Sequence, residues 1–447
     1  MSTRNLRPSK GVNYAPKPSK AVNYAPKKHA CGAPAPRISL LEEASMIAED
    51  SSGHKTQNFS SNENLLFTTS GDRLPPVIWC SGCRDGGDLA VCTTCKIIGI
   101  CSVCIDFGTK DGFVCPPCFK RAGKLVSYPW KFRSRGAGRE NWPKMNTTPL
   151  AIISIHLEGM TDSPSILTYH HLAPYLHGNL VLVNLTFNFN KPRKHFNSQL
   201  ENMLQEFEDG DFKEWTRFLV VITTHSVPES GDLHTAPNNK SAAPVDQLWA
   251  VLFPERFCNL LKREKRKNIL NLLSCGALSS RPDSRDAVKG IAAKDLFDKI
   301  LCFSQPNFQP SSTHKFVMDL ALQNYVHDRI GLINVLREQQ ALGAHTDVVL
   351  FQPNAITTFR WTHPGARPMG NDTPASIQCP ECSGFKTSPK STRQQPSILK
   401  CEDCPWSATY TLPEGFRWCQ GESPTNGLER GAWIQKVEKT EDKMEVS

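Results

Sequence analysis

Short apolar runs separated by amphipathic stretches dominate the middle of the chain, from about residue 149 to residue 352. The runs are rich in β-branched residues and leucine and do not alternate between apolar and polar positions. That pattern is typical of strands in a sheet that is covered on both faces. Five such runs predict five strands, at residues 152–157, 180–187, 218–223, 269–274 and 300–304.

Helical periodicity fills the stretches between these runs. Residues 195–207 space apolar side chains by three and four positions, which predicts one amphipathic helix with an apolar stripe of Phe196, Leu200, Met203, Leu204 and Phe207. Further helices are expected around residues 245–252, near residues 294–299, and from Ser312, whose hydroxyl suits an N-cap, to Tyr325. The alternation predicts an α/β domain with a mainly parallel sheet over residues 149–352.

The segments that flank this domain are polar. Residues 1–75 are rich in Pro, Ser, Asn and Lys, contain a ten-residue near-repeat between Ser9 and Lys28, and predict a disordered basic arm. Residues 353–378 are rich in Pro and Gly and predict a linker, and residues 416–447 predict a polar tail. A chain of 447 residues with 39% hydrophobic content suits two or three domains.

The apolar runs also bear on location. No run of eighteen apolar residues occurs, and the first residues lack the apolar core of a secretory signal, so the sequence predicts neither a membrane span nor secretion. A reducing compartment is expected, the nucleus more than the cytoplasm. In such a compartment the tight Cys-x2-Cys pairs among the seventeen cysteines are expected to bind metal rather than to form disulfides.

The net charge of +9 is concentrated in two stretches. Residues 1–41 contain eight Lys or Arg and no acid, and residues 120–144 contain eight against one Glu. The second stretch also carries aromatic residues, namely Tyr128, Trp130, Phe132 and Trp142. Since cations neutralise phosphates and rings stack on bases, residues 120–144 are the local candidate for nucleic-acid contact. The alternative is a basic aromatic linker, residues 121–148, whose rings dock on a neighbouring domain.

Cysteine spacing gives the most specific chemical signal. Residues 76–120 contain four Cys-x2-Cys pairs, and each pair lets two thiolates meet on one tetrahedral ion, so this module predicts two zinc ions. Residues 379–415 contain two more pairs, predict one zinc ion, and are similar to a zinc ribbon. The ligands of the first module are Cys80, Cys83, Cys92, Cys95, Cys101, Cys104, Cys115 and Cys118, and those of the second are Cys379, Cys382, Cys401 and Cys404.

The first module resembles a PHD finger. A glycine pair, Gly86 and Gly87, follows the second cysteine, and Phe113 stands two residues before the seventh. The resemblance implies a cross-brace, with Cys80, Cys83, Cys101 and Cys104 on one ion and Cys92, Cys95, Cys115 and Cys118 on the other. The fifth ligand is usually His, whereas this chain has Cys101. PHD fingers commonly bind histone tails, so Trp79 is either a wall of a methyl-lysine cage or part of the module's small core.

Two residues at strand ends suggest catalysis in the central domain. His225 and Cys275 are separated by fifty residues, and parallel sheets place catalytic groups at the carboxyl ends of strands. The domain resembles caspase-like cysteine peptidases, in particular the metacaspase and CHAT-type branches. The resemblance implies that His225 is the general base for the Cys275 thiol and that backbone N–H groups near Cys275 and Gly276 stabilise the oxyanion.

The same residues permit other interpretations. The caspase-like family usually has Gly directly after the catalytic His, where this chain has Ser226. His234, at the end of a loop expected to border the substrate, competes with His225 for the role of base, and no charged residue that would set substrate specificity is evident. A cysteine that ends a buried strand is often a small core residue.

Two hypotheses for function follow from the sequence. The leading one is a zinc-binding interaction protein, nuclear, whose finger binds a protein or histone-like peptide tail while residues 120–144 assist contact with chromatin or nucleic acid. The alternative is a caspase-like cysteine peptidase with a His225/Cys275 dyad, whose zinc modules recruit substrate. If the dyad is inactive, the central domain is a scaffold.

Overall fold

The computed structural model describes residues 67–69, 80–82, 88–96, 98–105, 110–128, 146–176, 178–263, 267–329, 331–363, 367–371, 378–384, 386–387, 397–420 and 431–439. Most of the predicted basic arm and residues 129–145 lie outside these ranges. Within the described ranges, no helix combines the length and apolarity needed to cross a membrane.

The strands fall into one large sheet and three small ones. In chain order they are β1 (Phe67–Thr69), β2 (Leu89–Val91), β3 (Gly99–Cys101), β4 (Leu150–Leu157), β5 (Leu180–Phe187), β6 (Phe218–Thr223), β7 (Leu233–His234), β8 (Ala242–Ala243), β9 (Ile269–Leu273), β10 (Lys299–Phe303), β11 (Val348–Gln352), β12 (Ala355–Thr362), β13 (Lys386–Thr387), β14 (Ser397–Cys401), β15 (Ser407–Tyr410), β16 (Arg417–Trp418) and β17 (Ala432–Lys439). The large sheet has the order β1-β5-β4-β6-β9-β10-β11-β12-β17-β16.

Five neighbouring strands of the large sheet, β5, β4, β6, β9 and β10, are parallel. They are the five strands that the apolar runs predict, and that prediction is confirmed. Alternate side chains of these strands enter two apolar layers, one on each face of the sheet; Ile153 and Ile155 lie in one layer and Leu150 and Ile152 in the other. The absence of alternation in the sequence is therefore explained by burial of both faces.

Helices cover both faces. The described helices are α1 (Pro116–Arg121), which belongs to the first cysteine module, and then α2 (Ser163–Leu172), α3 (Lys194–Glu208), α4 (Val245–Leu252), α5 (Glu255–Leu261), α6 (Ala277–Ser280), α7 (Pro282–Ala293), α8 (His314–Ala321), α9 (Leu332–Leu336) and α10 (Gln340–His345). The predicted stripe on α3 is buried. The helix expected near residues 294–299 is wrong, because α7 ends at Ala293 and Asp295 turns the chain with φ 52°. The capping role expected for Ser312 is wrong too, since α8 begins at His314.

The other half of the large sheet is antiparallel, and the sequence did not predict it. β12 occupies part of the expected linker, residues 353–378, while β16 and β17 occupy part of the expected polar tail, residues 416–447. The reason is long-range pairing: β17 pairs along the whole of β12, with Trp361 opposite Trp433. β1, from the expected disordered arm, pairs with β5. Long-range pairing therefore places segments with a polar local sequence in the large sheet.

Candidate functional site

The carboxyl edge of the parallel strands holds the predicted Cys/His pair. β6 and β9 are neighbours, and Thr223 lies opposite Leu273 in their register. His225 and Cys275 each follow these paired positions by two residues, so the pairing brings both to the same place along the edge. The sequence spacing of fifty residues thus becomes adjacency in space.

The two loops that carry the pair are joined by hydrogen bonds. The Ser226 hydroxyl donates to the carbonyl of Cys275 at 2.9 Å, and the Thr224 N–H donates to the carbonyl of Leu273 at 3.2 Å. His225 is exposed, whereas Cys275 is half-buried and packs against the apolar layer that includes Leu301 and Phe303. Neither side chain, within the described ranges, hydrogen-bonds to the other. The edge therefore presents a reachable thiol beside an exposed imidazole.

Gly276 has a packing role that the sequence did not reveal. A Cβ atom added there would overlap the carbonyl oxygen of Ser304, so the close approach of the β10 loop requires glycine. The Gly276 N–H donates to the carbonyl of Gln305 at 2.9 Å. The expectation that this N–H would stabilise an oxyanion is therefore wrong. In the part of the chain that the structure describes, the N–H groups of Ser226 and Cys275 have no acceptor.

His234, the competing base, lies beside His225 but in a different environment. Its N–H donates to the carbonyl of His225 at 2.9 Å, and the two rings meet edge to face with centroids 6.0 Å apart. His234 is buried, and its Nδ1 finds no hydrogen-bond partner among the described residues. Desolvation by neighbouring atoms lowers the pKa of both histidines, although His225 keeps contact with solvent, and the neighbouring His225 lowers the pKa of His234 further. Both imidazoles therefore favour the neutral form that a base requires.

A charged cavity adjoins the Cys275 loop. It has a volume of about 450 Å³ and begins at Ser304 and Gln305, the residues that contact Gly276. Asp347 is buried in its wall and accepts from the guanidinium groups of Arg360 at 2.9 Å and Arg367 at 2.7 Å. Two cations face one carboxylate, so the cluster has a net charge of about +1 at neutral pH. Sequence analysis missed it because both arginines lie in the segment interpreted as a linker.

The first cysteine module gathers its sulfur atoms into two groups. Cys92, Cys95, Cys115 and Cys118 form one group, and Cys80, Cys101 and Cys104 form another; in each group the Sγ atoms lie within 4.8 Å of one another. Cys83, the remaining ligand expected in the second group, lies outside the described residues. This partition matches the cross-brace that the PHD resemblance implies, and both groups can hold zinc.

Backbone N–H groups prepare the first group for a metal. Burial by itself would raise the pKa of Cys92, but N–H donors outweigh it, including that of Cys115 at 3.2 Å, and lower the pKa to about 6. The Arg121 guanidinium also donates to the Cys118 sulfur at 2.9 Å. Zinc binds the thiolate form, which these donors favour at Cys92, whereas burial raises the pKa of Cys115 in the same group.

The basic aromatic segment begins as part of this module. Tyr128 packs on Phe113 and Phe119 with ring centroids 5.5 Å and 5.9 Å apart, and its hydroxyl donates to the carbonyl of Val114 at 2.6 Å. Burial raises the pKa of Tyr128 to about 12. Tyr128 therefore docks on a neighbouring domain, as the linker interpretation expected, whereas Trp130, Phe132 and Trp142 lie outside the described residues, as do Trp79 and the glycine pair.

The second cysteine module forms a single group. Cys379, Cys382, Cys401 and Cys404 have Sγ atoms within 4.8 Å of one another, beside the sheet of β13, β14 and β15. Burial by itself would raise the pKa of Cys379. The N–H groups of Cys382 and Glu381 outweigh this effect, and the pKa is lowered to about 7. Cys419 is buried outside this group, and Cys302 is buried in the core. This module too can hold one zinc ion.

Comparison with known proteins adds no family: no family model matches the chain, and no curated protein matches it. The PHD and caspase-like resemblances therefore stay predictions from the residues that suggested them. What the described structure establishes is coarser. It is an α/β fold with five central parallel strands and three cysteine groups that can bind zinc.

Proposed function

We propose that the chain is a cysteine peptidase in which His225 acts on Cys275. The observation that carries the proposal is the parallel pairing of β6 and β9, which aligns Thr223 with Leu273 and so aligns the two residues that follow each by two positions. Adjacent strand ends in a parallel sheet are where catalytic groups converge. This alignment favours the peptidase over the interaction role that the sequence alone put first.

The chemistry needs a proton acceptor and an oxyanion site. The Cys275 sulfur would attack the amide carbonyl, its proton would pass to His225 and then to the leaving amine, and water would release the acyl group. The unpartnered N–H groups of Ser226 and Cys275 are the oxyanion donors that we propose. Ser226 supplies the same backbone donor as the glycine that the family usually has, and its hydroxyl holds the Cys275 loop.

The charged cavity supports a preference for acidic substrates. Its net charge of about +1 attracts a carboxylate, and Gln305 connects its wall to Gly276 beside the thiol. We propose that it receives the acidic side chain that precedes the cleaved bond. Asp347 would then position the two guanidinium groups rather than contact the substrate.

An electrophilic peptide tests the reaction. Acyloxymethyl ketone peptides that end in Asp or in Arg would be incubated with the full chain, and labelling would be followed by mass spectrometry. We expect labelling at Cys275, lost in Cys275→Ala and kept in Cys258→Ala, with the Asp probe at least tenfold faster. Labelling that survives Cys275→Ala would overturn the proposal, whereas a faster Arg probe would overturn only the substrate preference.

A second role, binding of a peptide tail, is favoured by the first cysteine module. Its strands β2 and β3 form a sheet of two strands, with Cys80 bridging Gly99 of β3. Among the described residues no strand pairs with β2 on the side away from β3, so a peptide could add there. We propose that a histone-like tail binds there and that the basic segment assists in the nucleus. The test is binding of the full-length Cys275→Ala chain to a histone peptide array and to DNA at two salt concentrations; no saturable binding to either would remove this role.

A further inference from the structure

A second cavity lies at the opposite, amino edge of the parallel strands. It has a volume of about 550 Å³, within the range of small-molecule sites. Ile269, at the start of β9, and Lys299, at the start of β10, line it together with Leu350 of β11 and two residues of α9, Leu332 and Ile333. Six of its thirteen lining residues are apolar; the charged ones are Lys267, Asp298 and Lys299, of which only Lys299 is buried.

Lys299 is a buried cation on an apolar face. It precedes Leu301 and Phe303 on the same side of β10, where both belong to the apolar layer, and only 6% of its surface is exposed. Its ammonium group donates to the Asn324 Oδ1 at 2.9 Å. An ammonium has three N–H donors, and within the described ranges no other acceptor is in reach. Two donors thus point to no protein partner.

Asn324 fixes the direction of this contact. Its Nδ2 donates to the carbonyl of Leu320 at 2.8 Å, which orients its Oδ1 toward Lys299. Asn324 lies in a π-helical turn, Leu322–Val326, and such turns recur at functional sites. Burial lowers the pKa of Lys299, while the exposed Asp298 raises it and Lys267 lowers it.

Arg217 shows what a structural cation looks like in the same fold. It is buried just before β6, and its guanidinium donates to the carbonyls of Pro149 at 3.1 Å, of Tyr325 at 2.7 Å and of Thr148. These backbone acceptors compensate its desolvation. Lys299 has one acceptor, Asn324, where Arg217 has three carbonyls. Unlike Arg217, it also lines a cavity. The difference indicates that the partner of Lys299 is a ligand.

We propose that this cavity binds a small amphipathic carboxylate, whose oxygens accept the two remaining N–H donors of Lys299 while its apolar body packs on Ile269, Leu332, Ile333, Leu350 and Phe359. One carboxylate balances the one buried charge, and charge-assisted hydrogen bonds of this kind are strong. A phosphate would bring more acceptors than the two remaining N–H donors of one ammonium can satisfy. The site is independent of Cys275, because it occupies the other edge of the sheet.

A comparison of hexanoate with 1-hexanol tests whether the carboxylate charge matters, because both have a six-carbon chain and only hexanoate is charged. Each would be titrated into the full chain by calorimetry, for the wild type, for Lys299→Met and for Ile333→Trp, which fills the cavity and keeps the lysine. We expect saturable binding of hexanoate to the wild type, at least tenfold weaker binding to both variants, and no difference between wild type and Lys299→Met for 1-hexanol. Ile333→Trp keeps the test decisive if Lys299→Met does not fold.

The opposite results would overturn the proposal. Equal affinity of hexanoate for wild type and either folded variant, or equal affinity of hexanoate and 1-hexanol for the wild type, would show that Lys299 recognises no carboxylate. Absence of saturable hexanoate binding would overturn it as well. A tetrapeptide with a free carboxyl-terminal leucine is a further arm, since binding of that peptide in place of hexanoate would assign the site to peptide ends instead of small acids.

Discussion

The first cysteine module and the large sheet differ in what holds them together. Among the described residues of the module, ten are buried in its core, and six of these are cysteines that belong to the two sulfur groups. The sheet is held by two layers of aliphatic and aromatic side chains, in which Cys302 is an ordinary apolar member. A core made mainly of cysteines gains little from apolar burial, so we expect bound metal to supply most of the module's stability. We expect no such dependence of the sheet, whose layers are apolar.

The largest expected effect tests this difference directly. Cys92→Ser removes a thiolate from the group of Cys92, Cys95, Cys115 and Cys118. We expect native mass spectrometry of the full chain to show at least one zinc ion fewer than in the wild type, where we expect three. Because structural zinc contributes about 10–16 kcal/mol in small modules, hydrogen exchange should rise throughout residues 110–128 while residues 150–157 stay protected.

Cys258→Ser is the matched control for this substitution. Cys258 is half-buried, lies outside every sulfur group and packs at the margin of the apolar layer. The control should keep all three ions. Retention of three ions by Cys92→Ser would contradict the metal assignment, and loss of protection in residues 150–157 would contradict the independence of the sheet.

The same contrast decides what could be predicted from sequence. Ligand pairs are local, so the spacing of Cys92 and Cys95 already indicates a metal knuckle, and the parallel strands are recognisable because each run is buried on both faces. β12 and β17 are not recognisable, because their burial depends on a partner some seventy residues away in the chain, as for Trp361 and Trp433. Local pattern cannot specify such pairing.

The candidate site also combines local features, which the sequence can predict, with long-range contacts, which it cannot. His225 and Cys275 could be found because strand ends are local features and parallel sheets align them. The bond from the Gly276 N–H to Gln305 and the cluster around Asp347 depend on how the β10 loop and the antiparallel strands approach the site. No local pattern in the separate segments indicates that approach, so the sequence could not show that the Gly276 N–H is bonded to Gln305, and it did not reveal the charged cavity.

The second prediction concerns the proton balance of the dyad. Desolvation lowers the pKa of His225 below its ordinary value of 6.5, so the neutral base persists as the pH falls to 6.5 and is lost only at lower pH. We expect the rate of Cys275 alkylation by iodoacetamide to have its acid limb below pH 6.5. In His225→Asn no imidazole accepts the thiol proton, so the limb should move to higher pH and the rate at pH 6.5 should fall roughly a hundredfold.

His234→Asn is the control, since His234 is the buried neighbour of His225. It should leave the acid limb within a few tenths of a pH unit. If instead His234→Asn moves the limb and His225→Asn does not, the buried histidine is the base. If neither substitution moves the acid limb, no histidine assists Cys275. The proposed dyad would then be contradicted.

The smallest expected effect compares two glycines of the sheet domain. Gly276→Ala must displace the backbone at Ser304, because the added Cβ would overlap its carbonyl oxygen, and we expect the substitution to cost about 1–3 kcal/mol in urea unfolding. Gly290→Ala in α7 meets no atom within 4 Å and should stabilise by about 0.5–1 kcal/mol through helix propensity. Both variants should keep the full zinc content. If Gly276→Ala leaves the free energy of unfolding unchanged, the loops around Cys275 can separate freely. The strand register that aligns His225 with Cys275 would then not hold the site together.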